Sequence, residues 1–175
     1  EIATTALDKE SGSHMAKPDD KVTIVDTVEY EGLKKGVEYR VVGTLMNKET
    51  GEPFEIDGKP VTAETTFTAK KSTGSVEVEF TFDATGLAGT TLICFEELWQ
   101  DDLKMAVHAD ITDRDQSIFF PSIGTQVKDS ETGLQMAHAD EEVTLIDTVS
   151  YSNVQPGEEL TLKGILMDKE TGEAL

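Results

Sequence analysis

The sequence is poor in cysteine and in long apolar runs. Its 175 residues include a single cysteine, Cys94, which excludes an internal disulfide and a cysteine-based zinc site. The surrounding segment, "TTLICFEELW", predicts a small core residue there rather than a reactive thiol. No apolar stretch approaches the roughly 18 residues that a membrane span requires, so we expect no membrane insertion.

Positive charge is also scarce. The chain has 15 Lys and Arg against 35 Asp and Glu, which gives a formal net charge of −20 at pH 7. This charge repels the phosphates of nucleic acids and of anionic lipids, so we expect neither as a partner. The chain opens on Glu1 without a signal peptide, and we expect it to be a piece of a longer protein.

The chain repeats itself. Residues 1–54 align without a gap on residues 122–175, and 24 of the 54 aligned positions are identical. At this constant offset Thr125 repeats Thr4 and Asp147 repeats Asp26. The sequence therefore predicts a complete repeat over residues 1–121 and the first part of a second repeat, its first strands only, over residues 122–175.

Apolar and polar residues alternate with period two through most of the repeat, which is typical of strands with one face in a core. The clearest runs are "VTIVDTVEY", "PVTAETTFTA", "SVEVEFTFD", "TTLICFEELW" and "QSIFFP", and the turn-forming segments "KETGEP", "KKSTGS" and "ATGLAG" lie between them. About seven short strands in about 120 residues predict an all-β, immunoglobulin-like β-sandwich. A short helix around "DDLKM" is compatible with the pattern.

Two acidic residues fall on the apolar faces of predicted strands. Asp26 shares its face with the apolar residues of "VTIVDTVEY", and Glu96 shares its face with those of "TTLICFEELW". A buried carboxyl group needs hydrogen-bond partners or takes a raised pKa. The pattern leaves two interpretations open: the acids bind backbone amides at a bulge or loop, or they belong to a reactive site.

A cluster of polar residues precedes the last predicted strand. The segment "VHADITDRDQS", residues 107–117, contains His108, Asp113 and Gln116. Its acids resemble a calcium loop only loosely, because the glycine and the terminal glutamate of an EF-hand are missing. An acidic module that binds a ligand or calcium through this loop is one interpretation of the chain.

A family resemblance favours another interpretation. The segments "ATTALDKESG", "VTIVDTVEYEGL", "GTLMNKETGEP", "STGSVEVEFTFDATGLAGTTLICFEEL" and "VHADITDRDQSIFFP" occur in the order found in the VaFE-type repeat of Gram-positive surface adhesins. They also resemble the related immunoglobulin-like stalk domains that form an intramolecular Thr–Gln ester bond. The resemblance spans the first repeat and, in its first half, the second.

The resemblance implies a set of site residues. The crosslinking threonine falls on Thr4, with the adjacent Thr5 as the alternative, and the glutamine falls on Gln116. The supporting residues fall on His108, Asp113, Asp26 and Glu96, and Glu97 or Asp83 are alternatives to Glu96.

The chemistry of such a bond accounts for these residue types. A threonine hydroxyl attacks a primary amide only with a base to take its proton and an acid to polarise the carbonyl. We expect His108, oriented by Asp113, to activate Thr4, and Asp26 or Glu96 to hydrogen-bond the Gln116 amide. The reaction runs once, so we expect no conventional enzyme and no cofactor or metal.

The resemblance implies an extracellular, cell-wall-anchored adhesin in which the domain contacts neighbouring repeats. A Lys–Asn or Lys–Asp isopeptide bond is an alternative crosslink, but the only asparagines are Asn47 and Asn153, both near predicted turns, and no lysine falls on an apolar strand face. In the second repeat Thr125 and Asp147 correspond to Thr4 and Asp26, the site residues of the first half of the repeat. We expect residues 122–175 to be poorly ordered alone or paired with another chain.

Overall fold

The computed structural model describes residues 1–175 and consists of twelve strands and their connections. The strands are β1 (Ile2–Asp8), β2 (Val22–Glu31), β3 (Glu38–Asn47), β4 (Glu55–Ile56), β5 (Lys59–Pro60), β6 (Thr62–Thr68), β7 (Thr73–Phe82), β8 (Thr91–Gln100), β9 (Leu103–His108), β10 (Ser117–Phe119), β11 (Ser122–Asp129) and β12 (Leu145–Ser152). The predicted all-β class is confirmed. The "DDLKM" segment forms the β8–β9 hairpin instead of a helix, with Asp101 in the left-handed region at φ 51°.

Two antiparallel sheets form the sandwich of the first repeat. One has the strand order β1-β2-β7, and the other has the order β10-β8-β3-β6 with β9 paired to the far end of β8. The first and last strands of the repeat thus lie in different sheets. Strand β1 nevertheless contacts β9 and β10, so the first strand of the repeat lies next to its last two strands at one side of the sandwich.

The core lies between these sheets and follows the predicted alternation. Strand β2 buries every second residue from Val22 to Tyr30, and β8 is buried almost throughout from Thr91 to Leu98. Gly43 of β3 allows the close approach of the opposite sheet, because a Cβ there would lie 2.4 Å from Cζ of the buried Phe80. The sheets are therefore packed closely around the residues that β2 and β8 turn inward.

Strands β11 and β12 repeat the β1–β2 pairing in the second unit. Thr125 lies opposite Val149, as Thr4 lies opposite Val28, and the remaining register matches at the same offset. Residues after β12 contribute one isolated bridge, Met167–Ala174. The apolar face of this hairpin is open, since Ile123 is 65% exposed where Ile2, its counterpart, is 8% exposed.

The structure has no helix long and apolar enough to cross a bilayer.

Candidate functional site

Two carboxyl groups face each other in the interior of the first repeat. Asp26 is on β2 in the middle of one sheet, and Glu96 is on β8 in the other; both are fully buried. Ligand atoms of these two groups and the Sγ atom of Cys94 lie within 4.8 Å of one another. Asp26 Oδ2 and both oxygens of Glu96 accept no hydrogen bond from another donor group, and the bond that remains open to them is the one that a protonated Glu96 donates to Asp26. The backbone amide of Thr5 interacts with Asp26 and opposes the increase of its pKa that burial causes, whereas no backbone amide binds Glu96.

Burial decides the ionisation of this pair. It raises the pKa of Glu96 from 4.5 to about 11, and the adjacent Asp26 carboxyl adds to the increase. Burial also raises the pKa of Asp26, although hydrogen bonding from Glu96 and Gln116 and the nearby His108 oppose the increase. Glu96 is therefore a neutral carboxylic acid at pH 7 and can donate a hydrogen bond or a proton.

Thr4 projects into the same interior. Strand alternation buries Ile2, Thr4 and Ala6 and leaves Thr5 exposed. Ala6 lies directly opposite Asp26 in the β1–β2 pairing, so Thr4 is two residues from that point on the same face of the sheet. The Thr4 Oγ1 atom is buried without a hydrogen-bond partner. Of the two adjacent threonines, only Thr4 has its hydroxyl in the interior.

Gln116 reaches the acids from the other sheet. It precedes β10 and is fully buried, and its Nε2 donates a hydrogen bond to Asp26 Oδ1 at 3.4 Å. Its Oε1 is buried without a partner. The backbone fixes this position, because Cys94 N donates to Gln116 O at 3.1 Å and Ala6 N donates to Asp115 O at 2.8 Å. Strand β1 is thus hydrogen-bonded directly to the segment that carries Gln116.

His108 and Asp113 border the acid pair on the solvent side. His108 lies opposite Glu96 in the β8–β9 pairing, and its Nε2 is 2.8 Å from Asp113 Oδ2. Both side chains are about a quarter exposed, at 25% and 24%. The hydroxyl of Ser117 donates to Asp113 O at 2.6 Å and so holds the loop that carries the aspartate. A partly solvated histidine oriented by a carboxylate can accept a proton.

The arrangement assembles the parts needed for acyl transfer. An unpaired hydroxyl, an amide with an unpaired carbonyl oxygen and a neutral acid are enclosed together, and a histidine lies at the edge. Both repeats of the chain match the family model described as "T-Q ester bond containing domain", over residues 1–120 and 121–175. The chain belongs to this family.

Solved structures of a bacterial adhesin show a similar fold. Two crystal forms of a bacterial adhesin from Mobiluncus mulieris, described as containing intramolecular disulfide, isopeptide and ester bond cross-links, align with TM-scores of 0.53 and 0.54. Each alignment covers 86% of this chain and 74% or 75% of that chain, at 16% sequence identity. At this identity the similarity concerns the fold. No curated protein matches the chain.

The other acids considered for the T-Q site lie outside the interior. Glu97 points away from the core and binds Lys104 Nζ and, at 3.2 Å, the ring nitrogen of Trp99. Asp83 is exposed, and its pKa is lowered by hydrogen bonding from the Thr85 side chain and by the backbone N–H of Thr85, which donates to Asp83 Oδ1 at 2.8 Å. Only Glu96, of the three, faces Asp26.

The loop acids of the T-Q domain serve the loop itself. Asp110 Oδ1 accepts hydrogen bonds from the backbone and hydroxyl of Thr112, and Asp113 Oδ1 accepts one from Asp115 N at 2.9 Å. These bonds fix the backbone of the loop around Thr112 and Asp115. No lysine is among the buried residues, so the core also offers no amine for an isopeptide bond.

Cys94 was predicted as a core residue and lies at the site, whereas Ser117 was not singled out from the sequence. Cys94 is fully buried beside the acid pair, and burial raises the pKa of its thiol. Its position was foreseeable because period-two alternation puts it on the face of Glu96. Ser117 acts through a bond to a backbone carbonyl, and no sequence signal distinguishes it from other serines.

Proposed function

We propose that this chain is part of the stalk of a bacterial surface adhesin and that its first repeat closes itself with an ester between Thr4 and Gln116. The observation that carries the proposal is the enclosure of an unpaired Thr4 hydroxyl and the Gln116 amide with a neutral Glu96. Buried polar atoms without partners are rare, and they include the Thr4 and Gln116 atoms that the family's bond concerns.

The reaction balances without a co-reactant. His108 takes the proton of Thr4 Oγ1 as the oxygen attacks the side-chain carbonyl carbon of Gln116. Glu96 stabilises the developing charge on Oε1 by donating a hydrogen bond, and Asp26 holds Nε2 in place. The C–N bond then breaks, the nitrogen gains the transferred proton and leaves as ammonia, and the Oγ1–C ester bond remains. Each domain reacts once, so the process is not enzymatic turnover.

The bond's location suits a load-bearing role. It joins the first strand to the segment before the last strand, and these are the points at which tension along a tandem array enters and leaves the repeat. The ester carries force that the hydrogen bonds of β1 and β10 otherwise bear. Such a crosslink suits an extracellular, cell-wall-anchored protein, where it resists extension and proteolysis.

The second repeat presents the first half of the same site. Thr125 and Asp147 have the register of Thr4 and Asp26, and Val127 replaces Ala6. We propose that this hairpin pairs with strands equivalent to β8–β10, supplied by further sequence of the repeat or by another chain. Its exposed apolar face is the observation that supports this pairing.

Mass spectrometry of the denatured chain tests the ester. We expect a mass lower than that of the sequence by one ammonia. Hydroxylamine should cleave the ester, free the Thr4 hydroxyl and convert Gln116 to a hydroxamic acid, so that the final mass exceeds that of the sequence by one oxygen atom. Thr4→Ala should have the full mass calculated from its own sequence, with no loss of ammonia. Thr5→Ala is the matched control, because Thr5 is exposed and its replacement should leave the ester intact. A full ammonia loss in Thr4→Ala would contradict the assignment.

A further inference from the structure

Asn153 of the second repeat forms hydrogen bonds with the end of the first. It follows β12, and its Nδ2 donates to Thr90 O at 2.7 Å and to Phe120 O at 3.0 Å. Its Oδ1 accepts the hydroxyl of Thr91 at 2.9 Å. One amide therefore uses both of its N–H groups and its carbonyl across the junction between the repeats.

The hydrogen bonds of Asn153 lie at the end of the β10–β8 pairing. Phe120 N already donates to Thr90 O at 3.0 Å, at the end of the β10–β8 pairing. Asn153 adds a second donor to each of the two carbonyls in this pair, so it bridges the last strand of the first repeat and its neighbour. Thr91 is 7% exposed, which shields its bond to Asn153 from water.

The connection between the two repeats is short. Strand β10 ends at Phe119 and β11 begins at Ser122, so the connection contains only Phe120 and Pro121. Proline restricts its own backbone and that of the residue before it. A short connection beside three side-chain hydrogen bonds leaves few ways for the two repeats to rotate.

The aligned position of the first repeat has no equivalent side chain. Gly32 occupies the place of Asn153, and both residues adopt left-handed backbone, with φ values of 85° and 55°. Asparagine tolerates this conformation better than most residues with a side chain. The backbone turn is thus common to the two repeats, whereas the amide that crosses the junction is present only in the second.

We propose that Thr90, Thr91 and Phe120 form a docking site for the asparagine of the following repeat and that Asn153 sets the orientation of the second repeat on the first. The interaction does not depend on the Thr4–Gln116 ester. It also implies that repeats with glycine at this position, as at Gly32, lack this contact with a preceding repeat.

Distance measurements between two spin labels test the proposal on the full chain. Labels on Lys71→Cys and Glu131→Cys place one probe on an exposed site of each repeat, and the buried Cys94 does not compete for labelling. We expect one narrow distance distribution for the otherwise unchanged chain. Asn153→Gly should broaden it, because glycine keeps the left-handed backbone and removes the amide.

Asn153→Asp tests the role of the Nδ2 donor independently of the backbone conformation. It keeps the acceptor for Thr91 but replaces the Nδ2 donor by an oxygen that repels the carbonyls of Thr90 and Phe120, so the distribution should broaden as well. Asn47→Asp is the matched control, because Asn47 uses only Oδ1, accepting from Glu49 N and Thr50 N. This control should keep the narrow distribution.

The outcomes are decisive in either direction. Broadening in both Asn153 variants, with an unchanged mass and an unchanged Asn47→Asp control, supports the docking site. A narrow distribution in Asn153→Gly and Asn153→Asp overturns it and assigns the orientation to the Phe120–Pro121 connection alone. The ester is measured separately by mass, so its absence would refute the proposed crosslink without affecting this result.

Discussion

The side-chain amide of Gln116 donates to Asp26 across the interior of the sandwich, at 3.4 Å. The bond joins the segment before β10 to β2 of the opposite sheet and fixes which end of the amide faces which acid. With Nε2 on Asp26, Oε1 is left without a donor. Glu96, neutral because burial raises its pKa to about 11, is the acid that can fill this role.

Replacing Glu96 tests its role as the acid. Glu96→Gln keeps the size of the side chain but removes the transferable proton, so ester formation should slow by on the order of 10²- to 10⁴-fold. The fraction of chains that have lost ammonia, followed by mass after folding, gives the rate. Glu97→Gln is the matched control because Glu97 points to the other side of β8. Equal rates in Glu96→Gln and the unchanged chain would eliminate Glu96 as the acid.

His108 and Asp113 should differ in the size of their effects. His108→Ala removes the proton acceptor and should slow ester formation by on the order of 10²-fold or more. Asp113→Asn only weakens the orientation of the ring, which the 2.8 Å contact now fixes, so its effect should be smaller. Asp110→Asn provides the control, since Asp110 binds Thr112 within the loop. A normal rate in His108→Ala would require another base.

Alternation of side chains predicted much of this site, since period two alone places Asp26, Glu96 and Cys94 on the core face. It could not choose between Thr4 and Thr5, because each face of β1 carries one large apolar residue, Ile2 on one side and Leu7 on the other. The docking of Asn153 was beyond prediction as well. It depends on contacts between residues 33 to 63 positions apart in different repeats, which no local pattern encodes.

The acid pair should make the uncrosslinked domain less stable as pH rises. The folded-state pKa of Glu96 lies above its ordinary 4.5, so the folded state binds more protons than the unfolded state between pH 4.5 and about 11. Over this range the free energy of unfolding should fall by up to about 1.4 kcal/mol per pH unit from this group. The stabilisation is complete below the unfolded pKa and is lost as pH approaches the folded one.

Thr4→Ala and Thr4→Ala/Glu96→Gln isolate this contribution. Urea unfolding of both variants between pH 5 and pH 8 should show a steeper decline in the first, because glutamine does not titrate. The difference reports the Asp26–Glu96 pair, because each carboxyl shifts the pKa of the other, and the remaining titrating groups are shared. Parallel pH profiles would mean that Glu96 ionises normally in the folded domain.

The ester itself should stabilise the first repeat. It closes a loop of about 110 residues, which on the chain-entropy model adds on the order of 4–5 kcal/mol to the free energy of unfolding. Comparing Thr4→Ala with the exposed control Thr5→Ala in denaturant unfolding at pH 5, where Glu96 is protonated in the folded state, measures this difference. A difference well below 1 kcal/mol would show that the crosslink acts on mechanical extension alone.

Gly43 links the stability of the fold to the geometry of the site. It lies opposite Glu96 in the β3–β8 pairing, and an added Cβ would come within 2.4 Å of Phe80 Cζ. Phe80 is 1% exposed and cannot move outward, so Gly43→Ala should cost about 1–3 kcal/mol of unfolding free energy and displace β8 with its glutamate. We therefore expect slower ester formation together with a lower melting temperature. Gly164→Ala, whose Cβ meets nothing within 4 Å, is the control, and an unchanged melting temperature in Gly43→Ala would show that the two sheets can separate without loss.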